Sequence, residues 1–211
     1  MSGLKGPLQF VLFSPLSMKK IKPVPFRHRP KGLEIIYEDH DIIVVNKSCG
    51  LLTVEANYEK VKTAHRILTT YIRKGSTKSK KQLFAVHRLD RDTSGVLVFA
   101  KSFDACETLK VQWKDVKKKY IAMIHGILKK KSGMITSYLT ENEKYEVYSV
   151  KDHRKGDLAK TKYKVLRESN VYSLIEIELL TGRKNQIRVH FSELGHPLVG
   201  DTKYGQKDGP R

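Results

Sequence analysis

Hydrophobic and polar positions alternate along the chain in short bursts that are typical of strands. Residues 34–37 and 42–47 are two apolar runs around a polar turn, which predicts a β-hairpin. Residues 83–86 and 96–100 are two further apolar runs, and we expect them to form a strand, a turn and a strand. The same reasoning predicts strands over residues 117–126, 161–166 and 172–180.

Three segments have the spacing of helices instead. Residues 63–73 repeat apolar side chains at helical intervals, and residues 103–113 follow Ser102, whose residue type favours an N-cap. A short helix over residues 186–194 is expected to end at Gly195. Because strands outnumber helices and short turns link many of them, the pattern predicts an α+β fold: a mixed, mostly antiparallel sheet flanked by helices.

The first 32 residues differ in composition from the rest of the chain. They hold five of the seven prolines together with several cations, which predicts an extended basic N-terminal arm. Met18 within this arm is an alternative start. Residues 33–211 contain no evident linker, so we expect them to form one domain.

The charge of the chain narrows the class of partner. Lys and Arg total 41 against 22 for Asp and Glu, a formal net charge of +19. Such a surface attracts polyanions, and RNA is the expected partner. No apolar run approaches the roughly 18 residues that span a membrane. Cys49 and Cys106 are far apart and form no ligand cluster, which predicts free thiols and a reducing, cytoplasmic location.

Residues 87–95 carry the most specific signal, His-Arg-Leu-Asp-Arg-Asp-Thr-Ser-Gly. Asp90 stands there between Arg88 and Arg91, and a carboxylate among cations is expected to stay ionised, as a nucleophile must. The nonapeptide resembles the HRLDxxTSG signature of the RluA-type pseudouridine synthases. The resemblance implies a catalytic domain that converts uridine to pseudouridine in rRNA or tRNA. It also implies a monomer that needs neither cofactor nor metal.

Two further blocks extend the resemblance and imply roles for their residues. The Lys-Lys-Tyr run resembles the family motif that supplies an active-site tyrosine, here Tyr120. Residues 179–190 resemble the block L-x-T-G-R-x-x-Q-[IL]-R-x-H, which implies that Arg188 pairs with Asp90 and that Ile187 packs against the uracil. Arg183, at the change from strand to helix, is well placed to bind phosphate.

The chemistry that the resemblance implies leaves several points open. Asp90 could add to C6 of the uracil ring, or it could attack or stabilise C1′ of the ribose. Tyr120 could stack on the base or transfer a proton, and Arg88 could fill the gap left by a flipped base or contact a phosphate. His87 is expected to bind the substrate or to have a positioning or core role, and not to ligate a metal, because no third ligand is suitably spaced.

Two other classes of protein remain as alternatives. Residues 90–93 also fit the D-x-D-x-T motif of Asp-nucleophile phosphatases, which use Mg²⁺. A non-catalytic RNA-binding or ribosome-assembly protein could keep the same fold. The chain also departs from the family pattern at its ends. Its arm is too short for an S4 domain. Family members usually continue into one more strand after the block at residues 200–205, so we expect either that this protein ends early or that the sequence is clipped.

Overall fold

The computed structural model describes residues 30–205. Nearly all of the predicted N-terminal arm lies outside the described residues, and its conformation stays a prediction. Within residues 30–205 the chain forms nine strands, three α-helices and a short 3-10 helix (His153–Lys155), which confirms the α+β class. These elements belong to two compact units, one ending at Val116 and the other beginning at Lys117.

The first unit is built on a four-stranded antiparallel sheet. Its strands are β1 (Leu33–Glu38), β2 (Ile42–Lys47), β3 (Phe84–Ala85) and β4 (Gly95–Ala100), in the order β1-β2-β4-β3. The predicted hairpin is confirmed as β1 and β2, which pair in antiparallel register. Strand β4 pairs with β2 along its whole length. The predicted apolar runs 42–47 and 96–100 therefore lie side by side at the centre of this sheet.

Two capped helices complete this unit. Helix α1 (Ala64–Ile72) begins after Thr63, whose hydroxyl accepts the Arg66 N–H at 3.1 Å. Helix α2 (Phe103–Gln112) begins after Ser102, whose hydroxyl accepts the Ala105 N–H at 3.2 Å. Ser102 is thus confirmed as an N-cap, and each hydroxyl satisfies a backbone donor that a helix leaves without an internal partner.

The second unit contains a five-stranded antiparallel sheet and helix α3 (Gln186–Glu193). Its strands are β5 (Lys118–His125), β6 (Ser132–Glu141), β7 (Val147–Val150), β8 (Asp157–Glu168) and β9 (Tyr172–Leu179), in the order β5-β9-β8-β6-β7. The sequence pattern did not predict β6 or β7. In β6 a glycine and a serine, Gly133 and Ser137, alternate with Ile135 and Leu139, so the apolar alternation is weak.

Helix α3 packs against one face of this sheet. Ile187 and Phe191 are buried in the same apolar cluster as Ile175 and Ile177 of β9. The ring of Phe191 meets that of Tyr163 edge-on, with centroids 5.7 Å apart. This burial fixes which side of α3 faces the sheet.

A buried polar network also ties α3 to β6 and β8. His190 contacts the Thr161 hydroxyl through Nδ1 at 2.8 Å and the Ser137 hydroxyl through Nε2 at 3.0 Å. Gln186 donates to the same Thr161 hydroxyl at 2.8 Å, so this one hydroxyl bonds both side chains of α3. Burial lowers the pKa of His190 and favours the neutral imidazole, although Glu193 opposes the shift.

Replacing Thr161 with valine should destabilise the protein, because valine keeps the shape and removes the hydroxyl shared by His190 and Gln186. Two buried polar groups then lose a partner, and we expect a loss of about 2 to 4 kcal/mol in the free energy of unfolding. Equilibrium denaturation in urea measures this loss.

Thr136→Val on strand β6 is the matched control, since Thr136 is exposed. Its free energy of unfolding should stay within about 0.5 kcal/mol of the wild-type value. Equal effects of the two substitutions would show that the network does not stabilise the position of α3.

Candidate active site

Asp90 lies in the loop that joins β3 to β4 and is partly buried. Its carbonyl oxygen accepts the Thr93 N–H at 3.1 Å, which closes a four-residue turn. Leu89 before it is buried, whereas Arg88 and Arg91 are exposed. The loop therefore anchors Leu89 in the core and leaves Asp90 partly exposed, with an exposed arginine on each side of the Leu89–Asp90 pair in the sequence.

Thr53 fixes the residue on the N-terminal side of Asp90. Its buried hydroxyl donates to the Leu89 carbonyl at 2.7 Å and accepts the Leu89 N–H at 3.0 Å. Both backbone polar groups of Leu89 are thus bonded to one side chain. This pair of bonds does the work that a strand partner would do in a sheet.

Lys47 and Gly50 fix the residue on the C-terminal side. The Arg91 carbonyl accepts the Gly50 N–H at 2.8 Å and the Lys47 ammonium at 3.2 Å. The same ammonium donates to the Leu51 carbonyl at 2.7 Å and the Ser48 carbonyl at 3.0 Å, so all three of its protons are used. Residues 47–53 therefore hold the Asp90 loop from both sides.

Lys47 is a fully buried lysine, with 0% of its surface exposed. Burial lowers its pKa to about 8, against the opposing influence of Cys49, Asp92 and Asp90. Such a cation is costly to bury, and here three carbonyl oxygens and nearby acidic groups compensate. The Asp90 loop thus has a buried positive charge, Lys47, beneath it in addition to the exposed arginines.

Sequence reasoning did not identify Lys47 or Thr53 as parts of the site. A signal for Lys47 was available: in β2 the positions of Ile43, Val45 and Lys47 alternate toward the core. A lysine at an inward position of a strand is unusual enough to suggest a specific role. The pairing of Thr53 with Leu89 has no such signal, because it depends on how a loop returns to the sheet.

His87 and Arg88 lie in the same unit as Asp90. His87 Nε2 accepts the Val98 N–H at 3.1 Å, and its ring stacks on Trp113 with centroids 4.4 Å apart. These contacts give His87 a structural position beside β4. The substrate roles of His87 and Arg88 stay predictions.

The other predicted site residues lie in the second unit. Tyr120 is on β5 opposite Ile177 of β9 and packs against the apolar cluster. Ile187 is buried, with 7% of its surface exposed. Arg183 donates to the Leu158 carbonyl at 3.1 Å and lies 3.5 Å from the Asp157 carboxylate. The roles of these three residues toward a base or a phosphate stay predictions.

Arg188 forms a bidentate ion pair with Asp201. Its Nε and Nη2 each donate to one carboxylate oxygen at 2.7 Å, and Nη1 donates to the Asn185 amide oxygen at 3.1 Å. Arg188 and Asp90 belong to different units, and their predicted pairing stays a prediction. Sequence reasoning did not identify Asp201 as the partner of Arg188.

Between residues 30 and 205, no group of three or more His, Cys, Asp or Glu side chains is arranged to hold a metal ion. None of the helices there is both long and apolar enough to cross a membrane. Cys49 is exposed and Cys106 is buried, and both are free thiols as expected.

Comparison with known proteins decides the family. The sequence model of the RNA pseudouridylate synthases matches residues 41–193, which include Asp90, Tyr120 and Arg188. The chain belongs to the RNA pseudouridylate synthase family. This confirms the resemblance carried by residues 87–95 and 179–190.

Relatives in sequence and structure agree with this assignment. The chain is 37% identical over 181 residues to the uncharacterized RNA pseudouridine synthase YlyB of Bacillus subtilis, covering 84% of this chain and 59% of that protein. It is 36% identical over 189 residues to ribosomal large subunit pseudouridine synthase D of Borreliella burgdorferi, covering 86% and 58%. The chain therefore spans a little over half the length of these relatives.

The solved structure of human RNA pseudouridylate synthase domain containing 1 superposes with a TM-score of 0.69 at 26% identity, covering 89% of this chain and 74% of that one. Human RNA pseudouridylate synthase domain containing 4 gives a TM-score of 0.68 at 27% identity, covering 82% and 69%. Both likenesses agree with the α+β fold described above.

The buried Lys47 predicts an unusual dependence of stability on pH. Its pKa in the folded protein, about 8, is below the ordinary 10.5, so between these values the unfolded chain binds more protons than the folded one. Stability therefore rises with pH in this window. We expect Lys47 to add about 1 to 2 kcal/mol to the free energy of unfolding between pH 8 and 9.5. Lys47→Met should lose this increment, as measured by denaturation at each pH.

Lys62→Met is the control, because Lys62 is an exposed lysine of the same unit. It should keep the wild-type slope of stability against pH. A Lys47→Met variant with that same slope would contradict the lowered pKa of the buried Lys47.

Proposed function

We propose that this chain converts uridine to pseudouridine in RNA, with Asp90 as the catalytic carboxylate. The observation that carries the proposal is the loop of residues 87–95, in which Asp90 stands partly exposed between residues that are each fixed by backbone hydrogen bonds. A carboxylate held in this way can meet a reacting atom without first being ordered. Membership of the pseudouridylate synthase family supports the same assignment.

The proposed reaction is an isomerisation in which atoms balance without a co-reactant. The bond between N1 of the uracil and C1′ of the ribose breaks, the base rotates, and C5 bonds to C1′. The proton that C5 loses is replaced by one on N1. Asp90 assists by adding to C6 of the base or by attacking or stabilising C1′, and either route uses one ionised carboxylate.

The remaining site residues are assigned supporting roles in this proposal. Arg188 orients the Asp90 carboxylate and keeps it ionised, and Ile187 packs against the uracil. Tyr120 stacks on the base or transfers the proton between C5 and N1. Arg183 and Arg88 contact the RNA backbone or fill the gap left by the flipped base, and His87 supports the loop from which Arg88 projects.

The substrate proposed is a structured RNA bound mainly through charge. The chain carries a formal net charge of +19, and several lysines lie in exposed loops. Relatives are named for the ribosomal large subunit, so ribosomal RNA is the first substrate to test and transfer RNA the second. We propose a monomer that acts in the cytoplasm without metal or cofactor.

Replacing Asp90 with asparagine should abolish isomerisation, because the amide keeps the shape and loses the negative charge. RNA affinity should remain nearly unchanged, since affinity depends on the cations. Site-resolved mapping of pseudouridine in RNA treated with purified protein measures the first effect, and a binding titration the second.

Asp92→Asn is the matched control, as Asp92 lies in the same turn and pairs with the exposed Arg91 at 3.3 Å. It should keep most of the activity. Normal turnover by Asp90→Asn would remove Asp90 from the catalytic role, and an inactive wild-type protein on ribosomal and transfer RNA would favour the non-catalytic alternative.

Exposed lysines and Arg188 should affect binding and chemistry separately. Neutralising Lys78, Lys80 and Lys81 in the loop after α1 should weaken RNA binding and reduce its salt dependence, by about one unit of slope for each lost phosphate contact. The rate at saturating RNA should change little. Arg188→Met should do the reverse, because Asp90 then lacks the group that orients it.

Salt-titrated binding and single-turnover rates on one RNA test both halves of this prediction. If Arg188→Met reacts at the wild-type rate while the lysine variants lose the chemical step, the reacting base must lie at the lysine loop. That result would overturn the proposed site.

A further inference from the structure

Arg188 is held by a set of side chains that the proposed chemistry does not yet use. Besides its two bonds to Asp201 and one to Asn185, its guanidinium lies over the Tyr204 ring at 5.0 Å. Three of its five N–H donors take part in these bonds. Arg188 is also only 20% exposed at its side chain, so its orientation is fixed by protein and not by solvent.

Asp201 is itself built into a rigid position. Its side chain is 2% exposed, and Oδ1 also accepts the backbone N–H groups of Lys203 at 2.9 Å and Tyr204 at 3.0 Å. Burial alone would raise the pKa of Asp201, but hydrogen bonds from Arg188 and the Tyr204 amide outweigh it and hold the pKa below its ordinary value. The carboxylate therefore stays charged and keeps one orientation over the working pH range.

Asn185 shows a second sign of specialisation. It occupies the N-cap position of α3, where an asparagine side chain usually accepts a backbone N–H of the helix, yet it makes no such bond. Its oxygen instead accepts from Arg188, and its amide nitrogen donates to the Tyr204 hydroxyl at 3.2 Å. The backbone of Asn185 is left-handed, with φ 53°, a conformation that asparagine adopts more readily than most residues other than glycine.

The Tyr204 hydroxyl completes the arrangement. It accepts the Asn185 amide and also the Val147 N–H at 2.9 Å, at the start of β7. The turn of residues 201–204 is thereby tied to a strand as well as to α3. Three side chains, Asn185, Asp201 and Tyr204, thus form one connected set around the Arg188 guanidinium.

We propose that Asp201 and Asn185 are positioning residues that hold Arg188 in the orientation required for isomerisation. The inference rests on the proposed function and adds a requirement to it: the proposed orienting group for Asp90 must itself be oriented. The bidentate Asp201 carboxylate and the Asn185 side chain fix the orientation of the guanidinium plane. A flexible arginine on a helix surface would have no such fixed orientation. Neither residue is assigned contact with RNA.

The test compares single-turnover rates and RNA affinities for wild-type protein, Asp201→Asn and Asn185→Gly. The asparagine oxygen can still accept the turn N–H groups, but the side chain loses its charge and one acceptor for Arg188. Glycine suits the left-handed backbone at position 185 and deletes only the side chain. We expect each variant to react roughly 10- to 100-fold more slowly with nearly unchanged affinity.

Two controls separate positioning from general stability. Glu193→Gln weakens another anchor of α3, since Glu193 accepts the Ser149 N–H at 2.9 Å and hydroxyl at 2.6 Å, and the folded variant should react at the wild-type rate. In an Arg188→Lys background, Asp201→Asn should slow the reaction little further, because both changes remove the same arrangement.

Wild-type reaction rates for Asp201→Asn and Asn185→Gly would overturn the inference. It would also be overturned if Glu193→Gln slowed the reaction as much as these variants do. The same holds if the rate loss of Asp201→Asn were as large in the Arg188→Lys background as in the wild type. If Asp201→Asn fails to fold, Asn185→Gly alone decides. An NMR signal from the Arg188 Nε–H gives a readout that needs no activity. If this signal exchanges slowly in the wild type and is lost in Asp201→Asn, Asp201 positions Arg188. If the wild-type protein also modifies no RNA, the positioning stands and the proposed function is rejected.

Discussion

The hydrogen bonds to the residues on either side of Asp90 are the constraint that fixes the Asp90 loop within the first unit. Thr53 bonds both polar groups of Leu89, and Lys47 with Gly50 saturates the Arg91 carbonyl. The intervening carboxylate has little freedom except at its own side-chain torsions. For a reaction that needs one acid at one atom, fixing the backbone in advance removes an ordering cost from the chemical step.

The buried Lys47 has consequences for the strands around it. It ends β2 at the position paired with Gly95 of β4, where no opposing side chain competes for space. Gly95 adopts φ 132°, a conformation that other residues rarely adopt. Backbone geometry, and not chemistry, therefore explains the glycine that ends the signature of residues 87–95. Lys47, Gly95 and the turn of residues 90–93 thus act together, and they determine the conformation of the Asp90 loop.

The second unit follows the same physical principle with different groups. Thr161, Gln186 and His190 hold α3 on the sheet through buried hydrogen bonds, while Asp201 and Asn185 hold the guanidinium that α3 carries. Buried polar groups add little net stability when all are satisfied, but they permit only one arrangement of the helix. In both units the polar groups are buried beside the residues proposed for chemistry.

What the sequence predicted well is what local pattern determines. The β1–β2 hairpin, the Ser102 cap and the loop of Asp90 follow from alternation, residue type and motif. Strand β6 was missed because Gly133 and Ser137 interrupt its apolar face, although Ser137 faces inward to bond His190.

The side chains that position the site were missed for a different reason. Asp201 reaches Arg188 across 13 residues, and Thr53 reaches Leu89 across 36, so neither contact belongs to any local period. Only Lys47 left a trace, as a charged residue where alternation requires an apolar one. A motif therefore indicates the residues proposed for the chemistry, whereas the side chains that position them are found only from tertiary contacts. Exceptions to a strand's hydrophobic pattern are the places in a sequence where such groups can first be detected.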